Sequence, residues 1–180
     1  QIGFGGVPGR PIGDGPDGHS LWPSFTNVPN EFIEAYFPLR IEKYETITDS
    51  GGPGLHRGGN GLSVAYRFLV DGHIGIHDDR WLTYPWGVNG GKPGNRSTKL
   101  LVRSDGTEEF IPAKCEGVKV QKGDLLYFNT WGGGGWGDPL ERDPANVISD
   151  VAKKLVSIDG AKRYGVCLLY TSDAADDCRC

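Results

Sequence analysis

Methionine is absent from the 180-residue sequence, and long apolar runs and excess positive charge are lacking as well. The longest apolar run has five residues, whereas a membrane-spanning helix needs about 20. The net charge of −4 provides no basic surface for the phosphates of nucleic acid. Because the chain begins with Gln1 and has no signal-peptide pattern before Gly18, we expect a fragment of a longer protein.

Glycine is the residue most in excess. The chain has 29 glycines and 12 prolines, whereas glycine averages about 7% of protein sequences. The glycines follow no three-residue period, which excludes a collagen helix. Because aromatic residues make up 11% of the sequence, disorder is not expected. The composition therefore predicts a folded protein whose glycines form turns and close main-chain approaches.

The cysteines are unevenly distributed. Three of the four, all except Cys115, lie in the final segment CLLYTSDAADDCRC, residues 167–180. This segment resembles a translated transposon-end sequencing adapter familiar from metagenomic assemblies, so we predict a non-native tail; the alternative is a natural tail with a Cys-x-Cys end. Without the tail one cysteine remains, which excludes a disulfide framework and is typical of a reducing, cytoplasmic compartment.

The rest of the chain divides into two parts. Residues 1–30 are dense in glycine and proline, which predicts a loop-like lead-in from a missing N-terminal part. Residues 31–166 predict one β domain, which starts with a helical turn at 31–35 that Pro38 ends. The fold class that we expect is mainly β (α+β), with antiparallel strands, Gly-rich turns and one or two C-terminal helices.

Short strands dominate the predicted domain. Strict alternation of apolar residues at 62–70 indicates a half-buried antiparallel strand. The Asp71-Gly72 pair then predicts a hairpin to a short strand with Ile74 and Ile76. Further strands are predicted at 38–47, 98–103, 108–111, 118–120 and 125–128, the second and third of these forming a hairpin across Ser104-Asp105-Gly106.

A helix is well specified near the C-terminus. Asp143 is a good N-cap and Pro144 suits the first helical position. Apolar residues then recur at helical spacing, which predicts a helix over 144–156. The apolar stripe consists of Val147, Ile148, Val151 and Leu155. A second short helix is predicted over 158–164.

The glycines at 132, 134 and 137 match the Gly-x-Gly-x-x-Gly spacing of dinucleotide-binding loops. That site requires a helix to begin at the glycines, whereas here the helix begins only at Pro144. We therefore predict a tight main-chain crossing, with Trp131 and Trp136 covering it. Lys92 in GGKPG lacks the following Ser or Thr of a phosphate-binding loop.

Three neighbouring residues are the best candidates for catalysis: His77, Asp79 and Arg80. His77 and Asp79 share one face of a strand about 7 Å apart, within reach of one ion or of each other. Arg80 would bind a carboxylate or phosphate, or would pair structurally with Asp78. A structural His–Asp hydrogen bond is the plainer alternative. His73 is too far from His77 on a strand, about 13 Å, to share a metal ion with it.

Several long motifs occur in order along residues 5–166: GGPGLHRGG, PWGVNGGKPG and GGGGWGDPLERDP. Together they resemble the C-terminal portion of the hydantoinase B/oxoprolinase family, the family of 5-oxoprolinase and N-methylhydantoinase B-type subunits. The sequence departs from the family at HDDRW, residues 77–81, where many relatives have Gly-Asp-Arg with further basic residues.

The resemblance implies a function for the whole protein. Family members work with, or are fused to, an ATP-binding hydantoinase A-type subunit and open cyclic amides such as hydantoin or 5-oxoproline. ATP and a divalent metal would belong to the full complex, with none bound by this fragment, because the family's metal-binding and most catalytic segments lie N-terminal to it. The fragment alone is expected to be inactive.

Other functions remain open at this point. One is a non-catalytic assembly module of the same subunit, and another is part of a related ATP-dependent ketone carboxylase. A third is a free-standing β-sandwich binding module. The resemblance implies neither nucleic-acid nor membrane binding.

Overall fold

The computed structural model describes residues 3–19, 27–168 and 177–179. Nine strands occur within these residues: β1 (Leu39–Thr46), β2 (Leu62–Phe68), β3 (Gly72–His77), β4 (Thr98–Val102), β5 (Glu108–Phe110), β6 (Lys114–Val120), β7 (Leu125–Asn129), β8 (Val166–Leu168) and β9 (Asp177–Arg179). Three α-helices accompany them: α1 (Asn30–Tyr36), α2 (Pro144–Ala152) and α3 (Ile158–Ala161). None of these helices is long and apolar enough to cross a membrane.

The predicted mainly-β fold is confirmed. Five strands form one sheet in the order β1-β2-β7-β4-β5, and every neighbouring pair is antiparallel. The hairpin predicted around Ser104-Asp105-Gly106 is present as β4 and β5, in which Leu100 is opposite Phe110. The interior strand β2 is buried on both faces over residues 62–65, so it is not the half-buried strand that the alternation predicts.

The predicted hairpin at Asp71-Gly72 is wrong. Strand β3 pairs with β6 in a separate two-stranded ribbon, with Gly72 opposite Val120. The reason is that β1 and β7 already occupy both edges of β2. Asp71 instead accepts a hydrogen bond from the amide of Lys122 at 2.8 Å, which directs the chain towards the end of β6.

The β3–β6 ribbon covers one part of the five-stranded sheet. Five buried side chains fill the space between them, and we call this cluster the apolar core: Ile76, Leu101, Ile111, Val120 and Leu126. Leu101 has no exposed surface. The apolar core therefore consists of side chains that alternate along strands, as in other packed sheets.

The two C-terminal helices are present as the sequence predicts, but the first of them is shorter. Asp143 caps α2 by accepting from the amide of Ala145, but the helix ends at Ala152 and not at 156. Lys154 has a φ of 60°, a left-handed conformation that ends the helical path. The second predicted helix is present as α3, continued by a 3-10 turn at Lys162–Tyr164.

Glycine-rich segments form a second packed region, and we call it the glycine core: residues 5–9, 51–61 and 131–137. The predicted main-chain crossing is confirmed, because a Cβ on any of the first four glycines after Trp131 would collide with main chain. The Cβ positions of Gly132, Gly133, Gly134 and Gly135 meet the carbonyls of Ser50, Val7, Trp86 and Pro53 respectively. Gly137 has a φ of 75°.

Hydrogen bonds tie these segments together. The amide of Gly6 donates to the carbonyl of Trp131 at 2.8 Å, and the amide of Gly133 donates to Gly59 at 2.8 Å. The Trp131 ring packs against Gly5, and Trp136 stacks on His56 with ring centroids 5.7 Å apart. The described part of the N-terminal segment therefore packs into this region and hydrogen-bonds with it, without forming a helix or strand of its own.

The C-terminal end of the chain forms a small ribbon. Strand β8 pairs with β9, and Cys167 lies opposite Cys178 in the register. Cys167 is disulfide-bonded, whereas Cys115 is a free thiol. Leu168 belongs to β8, while Leu169 and Cys180 lie outside the described residues.

Candidate functional site

The end of β3 carries the residues that the sequence singles out as catalytic. His77 is the last residue of the strand, and its Nε2 lies 2.5 Å from Oε1 of Glu116 on β6. The two side chains are 74% and 73% exposed. An imidazole hydrogen-bonded to a carboxylate can accept and pass on a proton. The sequence analysis missed Glu116, because the β3–β6 pairing is not visible from local pattern.

Asp79 and Arg80 follow β3 and have other partners. The carboxylate of Asp79 lies 3.1 Å from the ammonium of Lys114. The Arg80 guanidinium lies over the ring of Trp86, 4.7 Å from its centroid. Among the described residues, therefore, the structure gives each predicted catalytic residue its own partner and does not join His77 to Asp79 by a hydrogen bond.

The residue between them, Asp78, is buried and belongs to an ion pair that the sequence did not predict. Its Oδ2 lies 2.5 Å from Nζ of Lys99, whose side chain has no exposed surface. The ammonium also donates to the carbonyl of Asn129 at 3.0 Å and lies 4.0 Å from the ring centroid of Phe128. Burial lowers the pKa of Lys99, although the hydrogen bond and charge of Asp78 act in the opposite direction.

The pattern of β4 contains a signal for this buried lysine. Residues two apart on a strand lie on the same face, and Leu101 faces the apolar core. Lys99 therefore has to point inward as well, and a buried lysine needs an anionic partner. The pairing corrects the alternative in which Asp78 would bind Arg80.

A second set of buried charges joins the N-terminal segment to α2. Arg142 donates to both carboxylate oxygens of Asp14 at 2.7 Å and to Asp150 at 2.8 Å. Arg57 lies 2.9 Å from Asp17. Both arginine side chains are almost completely buried. Sequence patterns gave no sign of this cluster, because Asp14 and Arg142 are 128 positions apart.

The charges in this cluster support one another. Burial acts to raise the pKa of Asp14, but Arg142 and Arg57 together lower it by more, so the carboxyl lies below its ordinary range. Burial acts to lower the pKa of Arg142, and Asp14 and Asp150 together raise it by more. Both groups are therefore charged at neutral pH, and the cluster fastens the chain rather than exchanging protons.

The glycine core offers no phosphate site among the described residues. Most of the amides that follow Trp131 are already used inside the protein: for example, Gly132 donates to Asn95 at 3.0 Å, and Gly135 donates to Lys92 at 2.9 Å. Helix α2 begins only at Pro144. Within residues 3–19, 27–168 and 177–179, no group of three or more His, Cys, Asp or Glu side chains is arranged to hold a metal ion. These residues do not fit the divalent metal that the family resemblance implies.

Comparison with known protein families identifies the family of this chain. Residues 1–139 match the family described as Hydantoinase B/oxoprolinase. The chain belongs to this family. Of the motifs that carried the resemblance, GGPGLHRGG and the glycines of GGGGWGDPLERDP form main-chain contacts of the glycine core, and PWGVNGGKPG packs against it.

Curated relatives carry names from the same family. The chain is 34% identical over 166 residues to the B-type subunit of a putative D-/L-hydantoinase from Pseudomonas sp. strain NS671, a match that covers 91% of this chain and 28% of the relative. It is 37% identical over 143 residues to the beta subunit of the caprolactamase from Pseudomonas jessenii, covering 76% and 24%. The chain thus spans about a quarter of the length of these relatives.

Solved structures share the fold. The crystal structure of the ATP-dependent caprolactamase from Pseudomonas jessenii matches with a TM-score of 0.76 and 29% identity, over 96% of this chain and 31% of that one. A nucleotide-free acetone carboxylase structure matches with a TM-score of 0.68 and 20% identity, over 91% and 26%. The second match indicates a common fold alone.

Proposed function

We propose that this chain is part of the B-type subunit of an ATP-dependent enzyme that opens small cyclic amides, such as hydantoin or 5-oxoproline. The observation that carries the proposal is the identity of 34% to a putative hydantoinase and of 37% to a caprolactamase, in each case to the corresponding subunit. Hydantoin and caprolactam are both cyclic amides, so the shared chemistry is attack of water on a ring carbonyl.

The proposed partner is a hydantoinase A-type subunit or a fused domain of that type. ATP supplies a phosphoryl group that makes the amide carbonyl reactive towards water. We assign ATP and any divalent metal to parts of the complex outside the described residues, because the glycine amides are occupied and the acidic side chains do not cluster. This chain alone should hydrolyse neither ATP nor a cyclic amide. A cytoplasmic location completes the proposal.

Within this chain, His77, Asp79 and Arg80 are the residues proposed to contact the substrate. His77 and Asp79 are exposed and titratable, and Glu116 can orient the His77 ring. Arg80 can bind a carboxylate through two parallel hydrogen bonds. Replacing His77 or Asp79 by alanine in the complete complex should lower turnover without unfolding it, and unchanged turnover would leave both residues structural.

A second candidate is a non-catalytic assembly role for this chain. It is favoured by the separate partners of the three proposed residues and by the exposed aromatic side chains near them. In that case the alanine variants would retain full turnover, and variants of an exposed surface would impair assembly.

The decisive experiment is co-expression of a complete B-type polypeptide that contains this chain with an A-type subunit. The purified complex should release phosphate from ATP in step with opening of hydantoin, 5-oxoproline or caprolactam. Omitting either of the two polypeptides should abolish both. Bicarbonate-dependent consumption of acetone without amide hydrolysis would favour the ketone carboxylase instead. Release of phosphate by the purified chain alone would refute the proposed division of labour.

A further inference from the structure

Residues 80–96 form an excursion between β3 and β4, and we call it the arginine–aromatic loop. Ser97 joins the two ends of the loop by hydrogen bonds: its amide donates to the carbonyl of Arg80 at 3.0 Å, and its hydroxyl donates to the carbonyl of Asp79 at 2.9 Å. A loop whose ends are this close, and which carries its own packed side chains, resembles the compact surface loops that often bind partners.

Two arginines in this loop stack on aromatic rings. The Arg80 guanidinium lies 4.7 Å from the centroid of Trp86, and the Arg96 guanidinium lies 4.6 Å from that of Tyr84. Trp86 is 66% exposed, Tyr84 is 53% exposed and Leu82, two residues before Tyr84, is 66% exposed. Stacking on a ring holds a guanidinium in place while its edge remains able to donate hydrogen bonds.

The loop differs in charge from the rest of the chain. It contains Arg80, Lys92 and Arg96 and has neither Asp nor Glu. Elsewhere the chain has 16 basic and 23 acidic residues, a net charge of −7. Among the described residues the Arg80 guanidinium has its stacking contact with Trp86 and no ion pair. The positive charge of the loop is therefore not neutralised locally.

The loop is also fixed before any partner arrives. The amide of Lys92 donates to the carbonyl of Pro53 at 2.7 Å, and the amide of Val88 donates to Gly135 at 2.9 Å. Both acceptors belong to the glycine core. Arg80 has a φ of 60°, an unfavourable conformation for a residue with a side chain, and it places the guanidinium over Trp86. A loop anchored in this way loses little conformational entropy on binding.

We propose that the arginine–aromatic loop is a docking surface for an acidic segment of a partner polypeptide. Tryptophan, tyrosine and arginine are the residues that most often dominate protein–protein binding energy. Carboxylates of the partner would pair with Arg96, and its apolar side chains would cover Leu82 and Trp86. A small ligand fits less well, because such ligands bind in concave sites that bury most of their surface, whereas these side chains project outward.

Binding of a defined probe tests the proposal, and its result does not depend on which ring the enzyme opens. The probe is a fluorescently labelled peptide of Glu, Asp and Phe, compared with the same peptide in which Gln and Asn replace the acids. The full chain should bind the acidic peptide, measured by anisotropy, and binding should weaken with added salt. Equal binding of the neutral peptide would overturn the proposal.

Variants locate the surface. Trp86→Ala and Arg96→Ala should each weaken binding about tenfold or more, as truncation of a dominant interface residue does. Arg40→Ala, which removes an arginine on β1, should leave affinity within about twofold, given that most interface truncations cost little. Circular dichroism checks that each variant is folded. Unchanged affinity of both loop variants would contradict the proposal. Displacement of the peptide by inorganic phosphate at concentrations similar to those of the peptide would contradict it too, because the loop would then bind any phosphate. A dimer that forms without the peptide and is lost in the same variants would also contradict it, because the loop would then bind a second copy of the chain.

Discussion

The apolar core and the glycine core differ in what fills the space between neighbouring main-chain segments. Between the β3–β6 ribbon and the large sheet, buried side chains keep main chains apart and fill the gap. In the glycine core the side chains are missing, and main-chain segments touch directly, as where the carbonyl of Trp86 occupies the Cβ position of Gly134. The amides in this region donate to carbonyls of distant segments, for example Gly133 to Gly59.

This difference explains why a sequence rich in turn residues folds into a stable domain. Glycine loses much conformational entropy on folding, so a region of many glycines needs compensation. Interlocking hydrogen bonds and the buried charges of Arg142 and Asp14 provide it. The two cores should therefore respond differently to the same kind of substitution.

The largest expected effect is at Gly134. Gly134→Ala places a methyl group where the carbonyl of Trp86 lies, so two main-chain segments must separate. We expect a loss of more than about 5 kcal/mol in the free energy of unfolding, measured in urea, which is beyond the usual cost of a single substitution. The matched control is Gly72→Ala, whose new methyl meets nothing within 4 Å and should change stability by less than about 1 kcal/mol. Equal effects of the two variants would mean that the crossing is not tightly packed.

Removing the buried charge of Arg142 comes next. Arg142→Met leaves Asp14 without its guanidinium partner and Asp150 with only Arg57, 3.7 Å away, and should cost about 3–5 kcal/mol in urea unfolding. Lys162→Met removes a partner of Asp159 in an exposed pair and should leave the free energy of unfolding nearly unchanged. A small loss for the Arg142 variant would show that the cluster does not fasten the N-terminal segment.

The apolar core should give a smaller and more forgiving response. Leu101→Ala should cost about 3 kcal/mol, from lost burial and the cavity left behind. Leu101→Met, which keeps volume, should cost less than about 1.5 kcal/mol. Thermal unfolding of the pair measures the difference. If methionine were as damaging as alanine, this core would be as intolerant of change as the glycine core, and the contrast would fail.

The smallest expected effect concerns acid. The folded-state pKa of Asp14 is lower than its unfolded value, so the unfolded chain binds more protons as the pH falls. Its contribution to stability is present above the ordinary carboxyl range, near pH 4, and is lost as the pH falls further. Unfolding free energies from pH 6 to pH 2 should fall less steeply for Asp14→Asn than for the natural chain. Glu31→Gln, at an exposed position in α1, is the control and should keep the original slope.

Local pattern predicted most elements of this fold, because they depend on neighbouring residues. The cap at Asp143 and the turn at Asp105-Gly106 are examples. The pairing of β3 could not be read in this way, because it depends on both edges of β2 being occupied by distant strands. Local pattern also placed α2 correctly but extended it past Lys154, where a left-handed residue interrupts the apolar stripe.

The candidate site was less predictable than the fold. His77 and Asp79 are close in sequence, yet their partners Glu116 and Lys114 come from β6, which only the tertiary structure brings near. The buried pair of Asp78 and Lys99 has the same origin. Spacing along one strand therefore identified titratable residues without identifying what they contact.

The central claim is that the glycine core is a core and not a set of surface loops, and amide hydrogen exchange tests it most directly. The amides of Gly133 and Gly135 are hydrogen-bonded to carbonyls of distant segments. We predict that they exchange as slowly as the amides of Val64 and Tyr66 in the interior strand β2, through global unfolding alone. Exchange of the glycine amides at the rapid rates of exposed loops, with β2 still protected, would contradict the account.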